Sequence, residues 1–87
     1  MKIAHEIKDI IKLTKEGAPD TMIALAMSKL YEITIPVEYV KAIRSRFFNY
    51  DLANKCYVDV KTGTKYFQTN ILDNQCLKLL GYKGTAL

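Results

Sequence analysis

Tryptophan is missing from this sequence, and histidine occurs once among its 87 residues. That histidine, His5, sits on the polar side of a predicted helix with nothing beside it to make it a general base. The two cysteines, Cys56 and Cys76, have neither the CxxC nor the HxxxH spacing of a metal site. Each falls inside an apolar pattern, so two buried, reduced thiols of a cytoplasmic protein are expected. The four glycines, at positions 17, 63, 81 and 84, occur singly, which leaves no glycine-rich loop to cradle a phosphate. The carboxylates are scattered, without a close pair for acid–base work. An enzyme is therefore not expected, nor a metal, nor a cofactor.

Long apolar runs are also missing. The longest, Met22 to Met27, has six residues, against the ~20 that cross a membrane. Met1-Lys2 leads into a charged helix with no apolar signal core, so neither export nor membrane attachment is expected. What remains is 49% apolar and 25% charged residues, the balance of one small globular domain over 1–87. A core over about 2–81 and a frayed tail at 82–87 are expected. The net charge of +4 and a pI near 9.1 favour an acidic partner.

The chain is organised around Pro19 to Phe48, which reads as two helices and a tight connection. Before it, Lys2 to Glu16 forms an amphipathic helix. Ile3, Ile7, Ile10 and Ile11 recur at helical spacing, Leu13 lies off this stripe and is predicted partly exposed, and Gly17 is the stop. Pro19 opens a second helix with Met22, Ile23, Ala26, Met27 and Leu30 on one broad face. Leu25 and Tyr31 widen that face. A helix this apolar lies at the centre of the core or touches a second chain. Glu32 to Ile35 is a packed turn. Pro36 opens a third helix, expected to run to about Tyr50, with Val37, Val40, Ile43 and Phe47 buried. Arg44 falls on the apolar side. Its stem either runs along the core with the guanidinium at the edge, or it pairs with a buried carboxylate.

Asn49-Tyr50-Asp51 and Asn54 read as turn formers. Lys55 to Val60 alternates, with Cys56, Val58 and Val60 predicted on the buried face and Tyr57 and Asp59 opposite. Lys61-Thr62-Gly63-Thr64 is a hairpin loop, and Lys65 to Gln68 the return strand. Thr69 or Asn70 is expected to cap a last helix whose core side is Ile71, Leu72, Cys76, Leu79 and Leu80, with Gly81 ending it.

The predicted order is αααββα: mainly helical with one β-hairpin. It resembles the architecture of a winged helix-turn-helix from Ile3 to about Gln68. That resemblance implies that the third helix enters the major groove of double-stranded DNA while the hairpin loop touches the backbone. Lys41, Arg44, Ser45 and Arg46 on the helix, and Lys61, Thr62 and Lys65 around the loop, are the candidate nucleic-acid-binding residues. Ala42 and Ser45 are small enough for close approach, while Glu38 opposes phosphate. A homodimer covering two half-sites is expected from the apolarity of the second helix. The alternative is a protein-binding module, an adaptor or inhibitor of a larger machine. It would act through the apolar second helix, its methionines, and a surface rich in the six tyrosines.

Overall fold

In the computed structural model residues 2–81 are described, with side chains from His5 onward; the predicted tail at 82–87 lies outside them. The elements are α1 (Lys2–Lys15), α2 (Asp20–Tyr31), α3 (Val37–Phe47), β1 (Phe48–Asp51), β2 (Cys56–Asp59), β3 (Lys65–Phe67) and α4 (Asp73–Leu79). They form a small α+β domain: four helices and a three-stranded antiparallel sheet in the order β1-β2-β3.

α1 ends where the sequence places its stop. Gly17 takes φ +89°, the left-handed region open to glycine. The site is crowded as well as left-handed: a Cβ there would meet the Phe67 carbonyl oxygen at 2.6 Å. The Thr69 amide donates to the Gly17 carbonyl at 2.8 Å, which ties the exit of β3 to the end of α1. The buried face of α1 is turned from the isoleucine stripe. Ile10, Leu13 and Thr14 are fully buried, whereas Ile7 and Ile11 are only partly so. The expected exposure of Leu13 is corrected: it enters the core with Ala18 and Ile23, and the Thr14 hydroxyl is satisfied by donating to the Ile10 carbonyl at 2.7 Å.

α2 is the central helix. Ile23, Ala24, Ala26 and Met27 are buried, and α2 packs against α4, α3 and α1 in turn. Most of the apolarity that suggested a homodimer is thus absorbed inside the chain, while Leu25 stays exposed. The connection to α3 is pinned at both ends. Glu32 takes the left-handed conformation at φ 57°, and the Ser28 hydroxyl accepts the Ile35 amide at 2.9 Å. Ile35 is buried, while Ile33 lies exposed.

α3 stops at Phe47, three residues before its expected end at Tyr50. Asn49, Tyr50 and Asp51 are not turn residues. They form β1, a third strand absent from the predicted order. It pairs with β2 from Phe48↔Asp59 to Asp51↔Cys56. The physical reason is a cross-strand aromatic set that no local window displays. Phe48 is buried edge-on against Tyr57 and Tyr66, and Tyr50 lies 4.8 Å from Tyr57 between centroids.

The register also reverses the predicted face of β2. Phe48, Tyr50, Tyr57 and Tyr66 share the side turned to the helices, where the Arg44 guanidinium lies 3.9 Å above the Tyr57 ring. Val58 shares the outer side with Lys65 and Phe67; Phe67, and Val60 in the turn after β2, are half exposed. A tyrosine ring is a large apolar body despite its hydroxyl, so the tyrosine side is the one that packs. Cys56 is buried on the outer side, in register with Asp51 and Phe67, and stands apart from the main core cluster.

α4 begins at Asp73, so neither Thr69 nor Asn70 is its cap. The Gln75 side chain accepts the Leu72 amide at 2.9 Å instead. Leu72, expected in the core, is exposed. Leu77 joins Cys76 in its place, and Gly81 follows at φ 82°. No helix among the described residues is long and apolar enough to cross a membrane.

Candidate nucleic-acid interface

α3 docks through Val40 and Ile43, which are buried, and Phe47, which packs beside them. Its other side carries Glu38, Lys41, Ala42, Ser45 and Arg46, and all five are exposed. The Ser45 hydroxyl donates to the Ala42 carbonyl at 2.8 Å and keeps its acceptor face free. This face runs into a cleft of about 450 Å³ between α3 and the sheet. Lys41 and Ser45 line its helix wall, Tyr50 and Tyr57 its sheet wall, and Gln68 closes one side.

Beneath the cleft lies Arg44. It is 1% exposed, so it leaves the predicted interface. Of the two placements open to it, the structure takes the buried pair. Nη1 pairs with the Asp20 carboxylate, Nη2 donates to the Ala18 carbonyl at 3.1 Å, and the guanidinium plane covers Tyr57. Burial raises the Tyr57 hydroxyl above the ordinary tyrosine range, with the Arg44 charge acting in the opposite sense. Arg44 and Asp20 thereby join the start of α2, the last turn of α3 and the central strand. They set the height at which the sheet stands beside the helix face.

The hairpin loop is rigid by construction. The Asp59 carboxylate accepts the Lys61 amide at 2.8 Å and the Thr62 amide at 3.2 Å, and those two bonds hold its carboxyl below the usual range. Gly63 at φ 77° completes the turn, and its amide donates to the Asp59 carbonyl at 2.8 Å. The Thr62 hydroxyl is spent inside the loop, bonded to the Thr64 hydroxyl at 2.8 Å.

These contacts divide the seven predicted site residues. Lys41 and Ser45 border the cleft. Arg46 and Lys61 flank one junction, because the Val60 amide donates to the Phe47 carbonyl at 3.2 Å and draws the loop to the end of α3. Thr62 offers mainly backbone. Lys65 lies on the outer side of the sheet opposite Val58, near Asp51, whose carboxyl is held down first by Asn54 and to a lesser degree by Lys65. Two further cleft residues, Tyr50 and Gln68, lie outside these seven, because the sequence pattern puts them in a turn and at a strand end. Their signal is the alternation of Tyr50 with Phe48 across from Tyr57 and Tyr66, visible only once β1 is recognised.

Among the described residues no cluster of histidine, cysteine, aspartate and glutamate is arranged to hold a metal ion. Comparison of the chain with protein-family models, curated proteins and solved structures returns no match, so the site is read from its chemistry alone.

Proposed function

We propose that this is a small DNA-binding domain of winged helix-turn-helix type, of the kind that regulates transcription, with α3 as the recognition helix. The observation that carries the reading is the uncovered polar face of α3. Lys41, Ala42, Ser45 and Arg46 stand exposed together, and the rigid Lys61 loop is drawn to the end of the same helix. Two small residues between two cations permit close approach to a groove wall, and each cation reaches a phosphate or a guanine edge. The α2–α3 connection supports the reading. Glu32 adopts the left-handed conformation that a glycine commonly supplies in such turns. A pair of copies would read two half-sites, one per recognition helix. Light scattering against the 9.9 kDa mass of the chain tests that pairing.

Fluorescence anisotropy with a labelled duplex at low salt is the direct test. Binding that weakens steeply with added salt, and weakens further in the Arg46→Ala, Lys61→Ala double variant, supports the reading. Absence of affinity for any duplex at low salt sinks it. A protein-binding role is favoured by one separate observation: Phe67 lies half exposed on the outer sheet face, and Val60 and Leu52, in the turns that flank β2, are exposed too. Binding through that face would be nearly indifferent to salt.

A further inference from the structure

We propose that the cleft beside α3 takes one unpaired nucleotide of a DNA strand, its base stacked on Tyr50, its edge met by Gln68 and its phosphate by Lys41. The proposal rests on the DNA-binding reading above and names what that site prefers. A helix face in a groove needs a convex surface; this molecule has, next to that face, a concavity of about 450 Å³. That volume lies within the ~300–1,000 Å³ of pockets that enclose small ligands. One wall is aromatic. Tyr57 is fixed in place, its one face taken by the Arg44 guanidinium at 3.9 Å. Tyr50, at 44% exposure, rests against Tyr57 at an interplanar angle of 54° and lines the cleft.

The charge around the cleft selects an anion. Asp20 is committed to Arg44, which leaves Lys41 as the lining cation outside any ion pair among the described residues. The exposed Gln68 amide carries a donor and an acceptor side by side, the pattern that meets the edge of an adenine. An aromatic platform, one cation and one amide at the rim match a nucleotide removed from its stack. A paired base, held inside a duplex, offers no free face to Tyr50.

The test compares a blunt duplex with the same duplex carrying a short adenine overhang, by fluorescence anisotropy. Wild type should prefer the overhang by about tenfold, the scale set by one base stacked on an aromatic side chain. Tyr50→Phe should keep the preference and Tyr50→Ala should abolish it, with circular dichroism confirming that each variant is folded. Lys41→Ala, on the exposed helix face, is the second arm: it should weaken binding of the overhang and lower its salt slope by about one. Equal affinity for the two duplexes, or a preference that survives Tyr50→Ala, overturns the proposal and leaves the duplex reading standing. Failure to bind either duplex removes both.

Discussion

Burying a guanidinium costs several kcal/mol unless its charge and its donors are met. In Arg44 they are largely met, by Asp20, the Ala18 carbonyl and the Tyr57 ring. Removing the side chain would strand the Asp20 carboxylate and empty the space between helix and sheet. Arg44→Ala should therefore destabilise the domain by about 3 kcal/mol, tempered because Asp20 retains some exposure to water. Arg44→Met keeps the volume and should cost less in the same urea titration. A glycine supplies the second prediction at this scale. Gly17→Ala would place a methyl 2.6 Å from the Phe67 carbonyl in a backbone already left-handed. A loss of about 2 kcal/mol or more is expected from thermal melting, with the α1–β3 tie through Thr69 loosened first. The position of Gly17 as a helix stop was legible in the sequence, but its closeness to β3 was not. The same holds for Arg44: its misfit on the helix wheel was visible, whereas its partner Asp20 lies on another helix and sends no local signal.

Among the elements, α1 is fastened to the end of α2 and the start of α3 by two tyrosines. Tyr31 donates to the Asp9 carboxylate at 2.5 Å, and Tyr39 donates to Glu6 at 3.0 Å. Both hydroxyls are held above the ordinary tyrosine range, first by burial and then by the carboxylate each one meets. A group whose pKa rises on folding contributes stability that is complete below its unfolded pKa, near 10 for tyrosine, and is lost as pH climbs through the folded value. The share of stability that these two hydroxyls contribute should accordingly hold steady up to about pH 10 and fall above it in urea titrations. Tyr31→Phe should make that alkaline fall shallower, at a cost near neutrality of about 1 kcal/mol for the lost hydrogen bond. The three long helices were legible because the 3.6-residue period survives over eleven residues or more in each. β1 was not. Phe47-Phe48-Asn49-Tyr50 continues a plausible helical pattern, and Asn-Tyr-Asp has turn-forming chemistry. Only pairing with β2, eleven residues away at Phe48↔Asp59, makes it a strand. The short α4 was misplaced at its start for a related reason: Gln75 caps it from inside, and Thr69 and Asn70 upstream offered a false signal.

For the molecule as a whole, a net charge of +4 matters only through its distribution. The loop and the strand that follows it put Lys61 and Lys65 on different sides. Lys61 sits at the junction with the end of α3, and Lys65 points outward beside Asp51. On the proposed DNA-binding reading, a contact surface built around α3 would take in Lys41, Arg46 and Lys61 and leave Lys65 out. Each cation that neutralises a phosphate adds about one unit to the slope of log affinity against log salt. Arg46→Ala and Lys61→Ala should each reduce that slope by about one, and the double variant by about two. Lys65→Ala should leave it unchanged while lowering the net charge by the same amount as either of the others. This last comparison separates a docked surface from diffuse attraction, because attraction by total charge alone would treat the three lysine and arginine variants alike. Identical slopes for Lys61→Ala and Lys65→Ala would mean that α3 and the loop do not form one contact surface, and the exposed apolar residues Leu52, Val60 and Phe67 would then be the better place to look for a partner.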